Sequence, residues 1–179
     1  MHMHLDRATR SAGTIRANLD GWAAIPLRAI VGYGFMAHGY AKLVKGPVYF
    51  IGILHALGVP APEFLGWATI LIELVGGLAV LVGAFVPLAS IPMAAILLVA
   101  AFTVHLPYGF SSIKLQSVTT AGAQFGPPGY ETDLLYLACL ATLVMAGSGP
   151  FAVDGLLASF RQTRDSRIPR GQVKVDAPR

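Results

Sequence analysis

Residues 64–107 form an apolar run whose ionisable side chains are Glu73 and His105. The run is more than twice the roughly 20 residues that one spanning helix needs. Gly83 and Pro87 place a turn inside it, because glycine ends helices well and proline begins them. The pattern predicts two spanning helices, over about 64–84 and 87–106. Another is predicted over about 25–44, interrupted by Arg28, His38 and Lys42. The last covers about 132–146 and stops at Gly147-Ser148-Gly149-Pro150. Residues 48–59 are apolar but too short to span, which predicts an interfacial or re-entrant helix on the outer face. The segment 108–130 is polar, with Ser111, Ser112, Gln116, Ser117, Thr119, Thr120 and Gln124, and ends in Gly126-Pro127-Pro128-Gly129. Loops of that length are more often functional than idle, and this one reads as a partial lid. The expected fold is all-α and membrane-embedded. It is a four-transmembrane-helix bundle with a short outer interfacial helix over 25–158, between tails 1–24 and 159–179. No internal repeat is visible.

Composition supports a membrane chain. Hydrophobic residues make up 55% and charged ones 12%, with a mean hydropathy of +0.63. An ordinary soluble domain carries about 25% charge. The middle of the chain is too apolar to be disordered. A single cysteine, Cys139, excludes an intrachain disulfide or a CxxC site. The net charge of +4 resembles a nucleic-acid signal until it is mapped. Arg7, Arg10, Arg16, Arg161, Arg164, Arg167, Arg170, Lys174 and Arg179 all lie in the tails. The outer connections hold Lys42, Lys45 and Lys114. The positive-inside rule then puts both termini in the cytoplasm and argues against a nucleic-acid surface. The polar first 24 residues argue against a cleaved signal peptide.

Helical projection locates the polar faces. Arg28, His38 and Lys42 share one arc of about 80° on the first helix. An arc that polar cannot face lipid cheaply, so it should face the bundle interior or a wet cleft. On the second helix Gly66, Glu73, Gly76, Gly77 and Gly83 form a small-residue stripe, which lets a neighbour approach closely. Glu73 sits roughly 13 Å below the outer surface. His105 falls near the outer end of the third helix. Glu131 opens the fourth, where a carboxylate suits the helix dipole. These depths converge on an outward-facing pocket of His38, Lys42, His105 and Glu131, with Glu73 at its floor and aromatic walls that include Tyr136.

Each residue also has a plainer role open to it. Glu73 can be a structural carboxyl, neutral or paired with Lys42 or Arg28. Lys42 is placed too near the surface to reach it without an offset of the first helix. Glu73 is therefore expected to be protonated, or bonded to His38, His105 or water. His38 can make a helix-to-helix hydrogen bond, and His105 can be an interface anchor. Two membrane histidines can also hold haem iron, but one histidine on each helix at roughly matched depth argues against haem. No metal is expected. Arg28 can snorkel at the inner surface, Cys139 can simply pack, and Asp154 can cap or pair there.

The stretch Leu27–Asp154 resembles the DoxX family of small bacterial membrane proteins. The matching residues are Leu27-Arg28, His38-Gly39-x-x-Lys42, Gly58-Val59-Pro60, and Glu73-Leu74-x-Gly76-Gly77 with Gly83. Further along they are His105, Gly129-x-Glu131 with Leu135-Tyr136, and Gly149-Pro150 with Asp154. The resemblance implies a four-helix bundle in a bacterial plasma membrane and a redox setting, since relatives include a quinone-reducing thiosulfate dehydrogenase subunit.

Three functions compete. The first is the membrane subunit of a redox system that binds quinone or a small redox substrate. His38, Lys42, His105, Glu131 and Tyr136 would bind it, and Glu73 and His38 would move protons. The chain has no flavin motif and no cysteine pair, so electrons would come from a partner or a bound substrate. The second is a non-catalytic anchor for a soluble oxidoreductase, whose basic tail binds partner or lipid. The third is a small-solute permease, against which the lack of an inverted repeat argues. A homo-oligomer stays open.

Overall fold

The computed structural model describes residues 21–157 and 159. The expectations for the two tails fall almost wholly outside them. Among the described residues the main elements are, in order, α1 (Ala24–Lys45), α2 (Pro47–Ala56), α3 (Pro62–Val82), α4 (Val86–Tyr108), strands β1 (Leu115–Thr119) and β2 (Gly122–Phe125), and α5 (Glu131–Ala146). A π-helical turn, Ile72–Gly76, interrupts α3, and another, Ala101–His105, interrupts α4 before its closing 3-10 turn.

Helices α3 and α4 are long and apolar enough to cross a membrane. The 21 residues of α3 make about 31 Å of helix, matching a hydrocarbon core of about 30 Å. Proline stands in the first turn of α2, α3 and α4, where its missing N–H costs nothing. Gly83 ends α3 with φ 71°, a conformation that glycine adopts freely. A side chain at that position would also run into Arg28 and Ala152.

Contacts fix the packing. Gly83 lies beside Arg28, Gly77 beside Gly32, and Glu73 and Leu74 beside Gly39, so α1 runs antiparallel to α3. A Cβ on Gly32 would stand 2.7 Å from the Gly77 carbonyl oxygen, and one on Gly77 would stand 2.8 Å from that of Gly32. The two backbones therefore touch, as small residues permit. Lys42, near the end of α1, reaches only to the middle of α3. The first half of α3 is covered instead by α2, whose Ile51 and Leu54 fill the space over Gly66. The expected short helix exists, and it packs on α3. A core of Val31, Phe35, Val80, Val86, Met93, Leu97, Leu140 and Leu143 joins all four longer helices. Large apolar side chains such as Tyr33, Val75, Ile91, Phe102 and Met145 face outward, as a lipid-facing surface requires.

One end of the bundle is sealed by polar groups. Buried Arg28 donates from Nη1 to the carbonyls of Ser148 at 2.7 Å and Pro150 at 3.4 Å. Asp154 accepts from the backbone N–H groups of Phe85 at 2.9 Å and Val86 at 3.4 Å, capping α4. The capping role expected for Asp154 is thus observed, whereas Arg28 does not snorkel but is buried.

The segment expected to be an irregular polar loop holds a β-hairpin, so the fold is mostly rather than wholly helical. β1 and β2 pair antiparallel from Leu115↔Phe125 to Thr119↔Gly122, with an irregularity between Leu115 and Ser117. Every strand residue is exposed. The alternation was hard to read because neither face is buried, and burial is what makes a strand legible in sequence.

Candidate functional site

The inward-facing stripes of the helices turn polar at one end. On α1, Val31, Phe35, His38 and Lys42 lie within about 40° of one direction. On α3 the stripe is Gly66, Ile70, Glu73, Gly77 and Val80. On α4 it runs Ser90, Met93, Leu97, Ala101 and then His105, and on α5 it is Asp133, Tyr136, Leu140 and Leu143. The ionisable members lie towards the same end, because α1 and α4 run together and against α3 and α5.

Burial along the α1 stripe ends where those groups begin. Val31 and Phe35 are buried, yet His38, on the same stripe, is exposed. Phe35 meets Tyr136 edge to face with ring centroids 5.7 Å apart, and Tyr136 lies directly against Gly34. His38 lies about one turn beyond this aromatic contact and is exposed.

Two side-chain pairs line that end. Lys42 Nζ donates to both carboxylate oxygens of Glu73, each at 2.5 Å. It also stands 4.8 Å from the ring centroid of Phe50 on α2, a cation–π distance. The partner of Glu73 is therefore Lys42, where His38, His105 or water was expected. The offset of α1 brings Lys42 level with Glu73, so the lysine is not stranded near the surface. Among the described residues the side chain of His38 makes no hydrogen bond.

The second pair joins α4 to α5: His105 Nδ1 is 2.6 Å from Asp133 Oδ2. Asp133 is buried and was missed in the sequence. Its available signal was Glu131-x-Asp133 at a helix start, facing a histidine at the end of the preceding helix. Glu131 opens α5, as expected. Its Oε2 accepts from the Ser112 backbone N–H at 2.9 Å, and Ser112 also binds Gly129 and Thr132. The carboxyl expected to bind a ligand thus fastens the base of the hairpin. No hydrogen bond among the described residues joins the Lys42–Glu73 pair to the His105–Asp133 pair.

Both π-helical turns carry a site residue, Glu73 in one and His105 in the other. Such turns occur frequently at functional sites. Nothing in the sequence marks them. A separate open groove of about 570 Å³ lies between α3 and α4, lined by apolar residues including Ile72, Val75, Ala79, Leu88 and Pro92.

Residues 23–106 match the DoxX family. An uncharacterized protein of Haemophilus influenzae is 30% identical over 130 residues, covering 72% of this chain and 85% of that one. No solved structure matches.

Proposed function

The chain belongs to the DoxX family of membrane proteins, with its family domain over residues 23–106, and on that premise we propose that it is the membrane subunit of a redox system. In this reading α1, α3, α4 and α5 all cross the bilayer, and both tails lie in the cytoplasm. The Lys42 end then faces outward and receives a quinone or a similar small redox ligand. His38, Lys42, His105 and Tyr136 contact the ligand, while Glu73 and His38 carry protons. Glu131 supports the rim through Ser112.

One observation carries the reading. The core stripe of α1 is buried at Val31 and Phe35 and exposed at His38, and the inward stripes of three other helices carry ionisable groups towards the same end. A purely structural core has no reason to open where its polar groups gather, since each open charge in a membrane is costly. Lys42 offers a hydrogen-bond donor to a ring carbonyl, and the apolar helix faces suit a hydrophobic tail.

The test is extraction and quantitation of quinone from the purified full chain, followed by titration with a short-chain quinone read by tryptophan fluorescence. About one quinone per chain is expected. The double variant Lys42→Gln/Glu73→Gln removes both charges together, leaves neither unpaired, and should lose binding while remaining folded. Unchanged binding in that variant, or no quinone bound by the wild type, would overturn the proposal. The exposed hairpin supports a second reading, an anchor for a soluble oxidoreductase docked on the outer face. That reading expects partner capture to depend on the hairpin and not on Lys42 or Glu73.

A further inference from the structure

The contact between His105 and Asp133 determines what this end of the bundle offers a ligand. An ionised carboxylate can only accept a hydrogen bond, whereas an imidazole nitrogen can carry the proton and donate it. The proton between them therefore belongs on Nδ1, which donates to the carboxylate at 2.6 Å. In a neutral ring so held, the other nitrogen is an acceptor. Nε2 of His105 has no hydrogen-bond partner among the described residues. It is not sealed in either, because the buried side-chain polar atom lacking a partner is Nε of Arg28. Asp133 is almost fully enclosed, whereas about a quarter of the His105 side chain is open (8% and 26% exposed). A carboxylate fixes one side of the ring, and the ring is partly open.

We propose that Asp133 is a positioning residue that holds His105 with Nε2 presented as the acceptor for a ligand hydroxyl. The inference rests on the redox-ligand reading and narrows it. A hydroquinone brings an O–H that Nε2 can accept. A quinone brings a carbonyl lone pair that faces the Nε2 lone pair. A site that presents this acceptor therefore discriminates in favour of the reduced ring. The dependence is that of a histidine whose tautomer is set by the partner of its second nitrogen.

The full chain, labelled with 15N-histidine and held in detergent micelles, tests this by ring-nitrogen NMR, with His105 assigned through His105→Gln. The wild type should show Nδ1 protonated and Nε2 bare. Asp133→Leu should move the proton to Nε2, and Asp133→Glu should restore the first pattern. A wild-type ring protonated on Nε2 overturns the inference without any variant having to fold. A hydroquinone bearing one isoprene unit should shift the Nε2 resonance and bind about tenfold more tightly than the matching quinone. That preference should vanish in Asp133→Leu. Binding of both forms with no preference overturns the acceptor role and leaves the redox-ligand reading standing. Binding of neither form, with Nδ1 protonated, overturns that reading and leaves Asp133 as the group that sets the tautomer.

Discussion

The two ends of the bundle handle buried polar groups in opposite ways. At the Arg28 end, side chains bond mainly to backbone. Arg28 donates to the Ser148 and Pro150 carbonyls, and Asp154 accepts from the N–H groups that start α4. At the Lys42 end, side chains bond to each other, Lys42 to Glu73 and His105 to Asp133. A side chain spent on a backbone group closes a helix end that would otherwise be unsatisfied. A side chain paired with another keeps atoms free on its open face, as Nε2 of His105 does. The first arrangement closes its end of the bundle, and the second leaves polar atoms open at the other.

The strongest test of the contrast is at Lys42. Lys42→Met leaves Glu73 buried and unpaired, and breaking such a pair costs about 3–5 kcal/mol. Thermal unfolding in detergent should show that loss. Lys42→Met/Glu73→Leu should recover most of it, because both charges then go together. A double variant as unstable as the single would mean that the pair itself holds the bundle together.

At the other end Arg28→Met should cost about 1–3 kcal/mol, since two carbonyls lose a charged donor while the apolar stem is kept. Quinone titration of the same variant should match the wild type, and weakened binding would show that the two ends are coupled. A smaller loss, about 1 kcal/mol, is expected for Asp154→Ala, the usual cost of removing a helix cap. Amide exchange at Phe85 and Val86 should rise in that variant, and unchanged protection would show that the cap is not closing the turn.

The smallest effect belongs to the hairpin. Replacing 115–125 with a short glycine-serine linker removes strands whose residues are all exposed. The bundle should keep its melting behaviour to within about 0.5 kcal/mol, provided Ser112, Gly129 and Glu131 stay to fasten the loop ends. A larger loss would place the hairpin among the groups that hold the Lys42 end.

The helices were legible in the sequence because each carries an apolar run of spanning or near-spanning length between proline and glycine signals. Their observed bounds, Ala24–Lys45, Pro62–Val82, Val86–Tyr108 and Glu131–Ala146, lie close to those read from the pattern. The stripe of Gly66, Gly76 and Gly77 correctly announced a close neighbour, and Gly83 the turn. His38, Lys42, Glu73 and His105 stood out because ionisable groups are costly in an apolar helix and so must face inward.

Composition and periodicity determine which face of a helix is buried, because that depends only on residues of the same helix. They do not determine how far one helix slides along another. That offset is decided by the backbone contact of Gly32 with Gly77 and by α2 taking the place beside Gly66. It is the offset that brings Lys42 to Glu73 rather than leaving it near the surface. The same holds for Asp133 and Glu131, two residues apart on one helix. The sequence presents them as equivalent carboxylates at a helix start. Only the approach of His105 on one side and Ser112 on the other assigns the first to the histidine and the second to the hairpin, because a hydrogen bond depends on distances that no single helix contains.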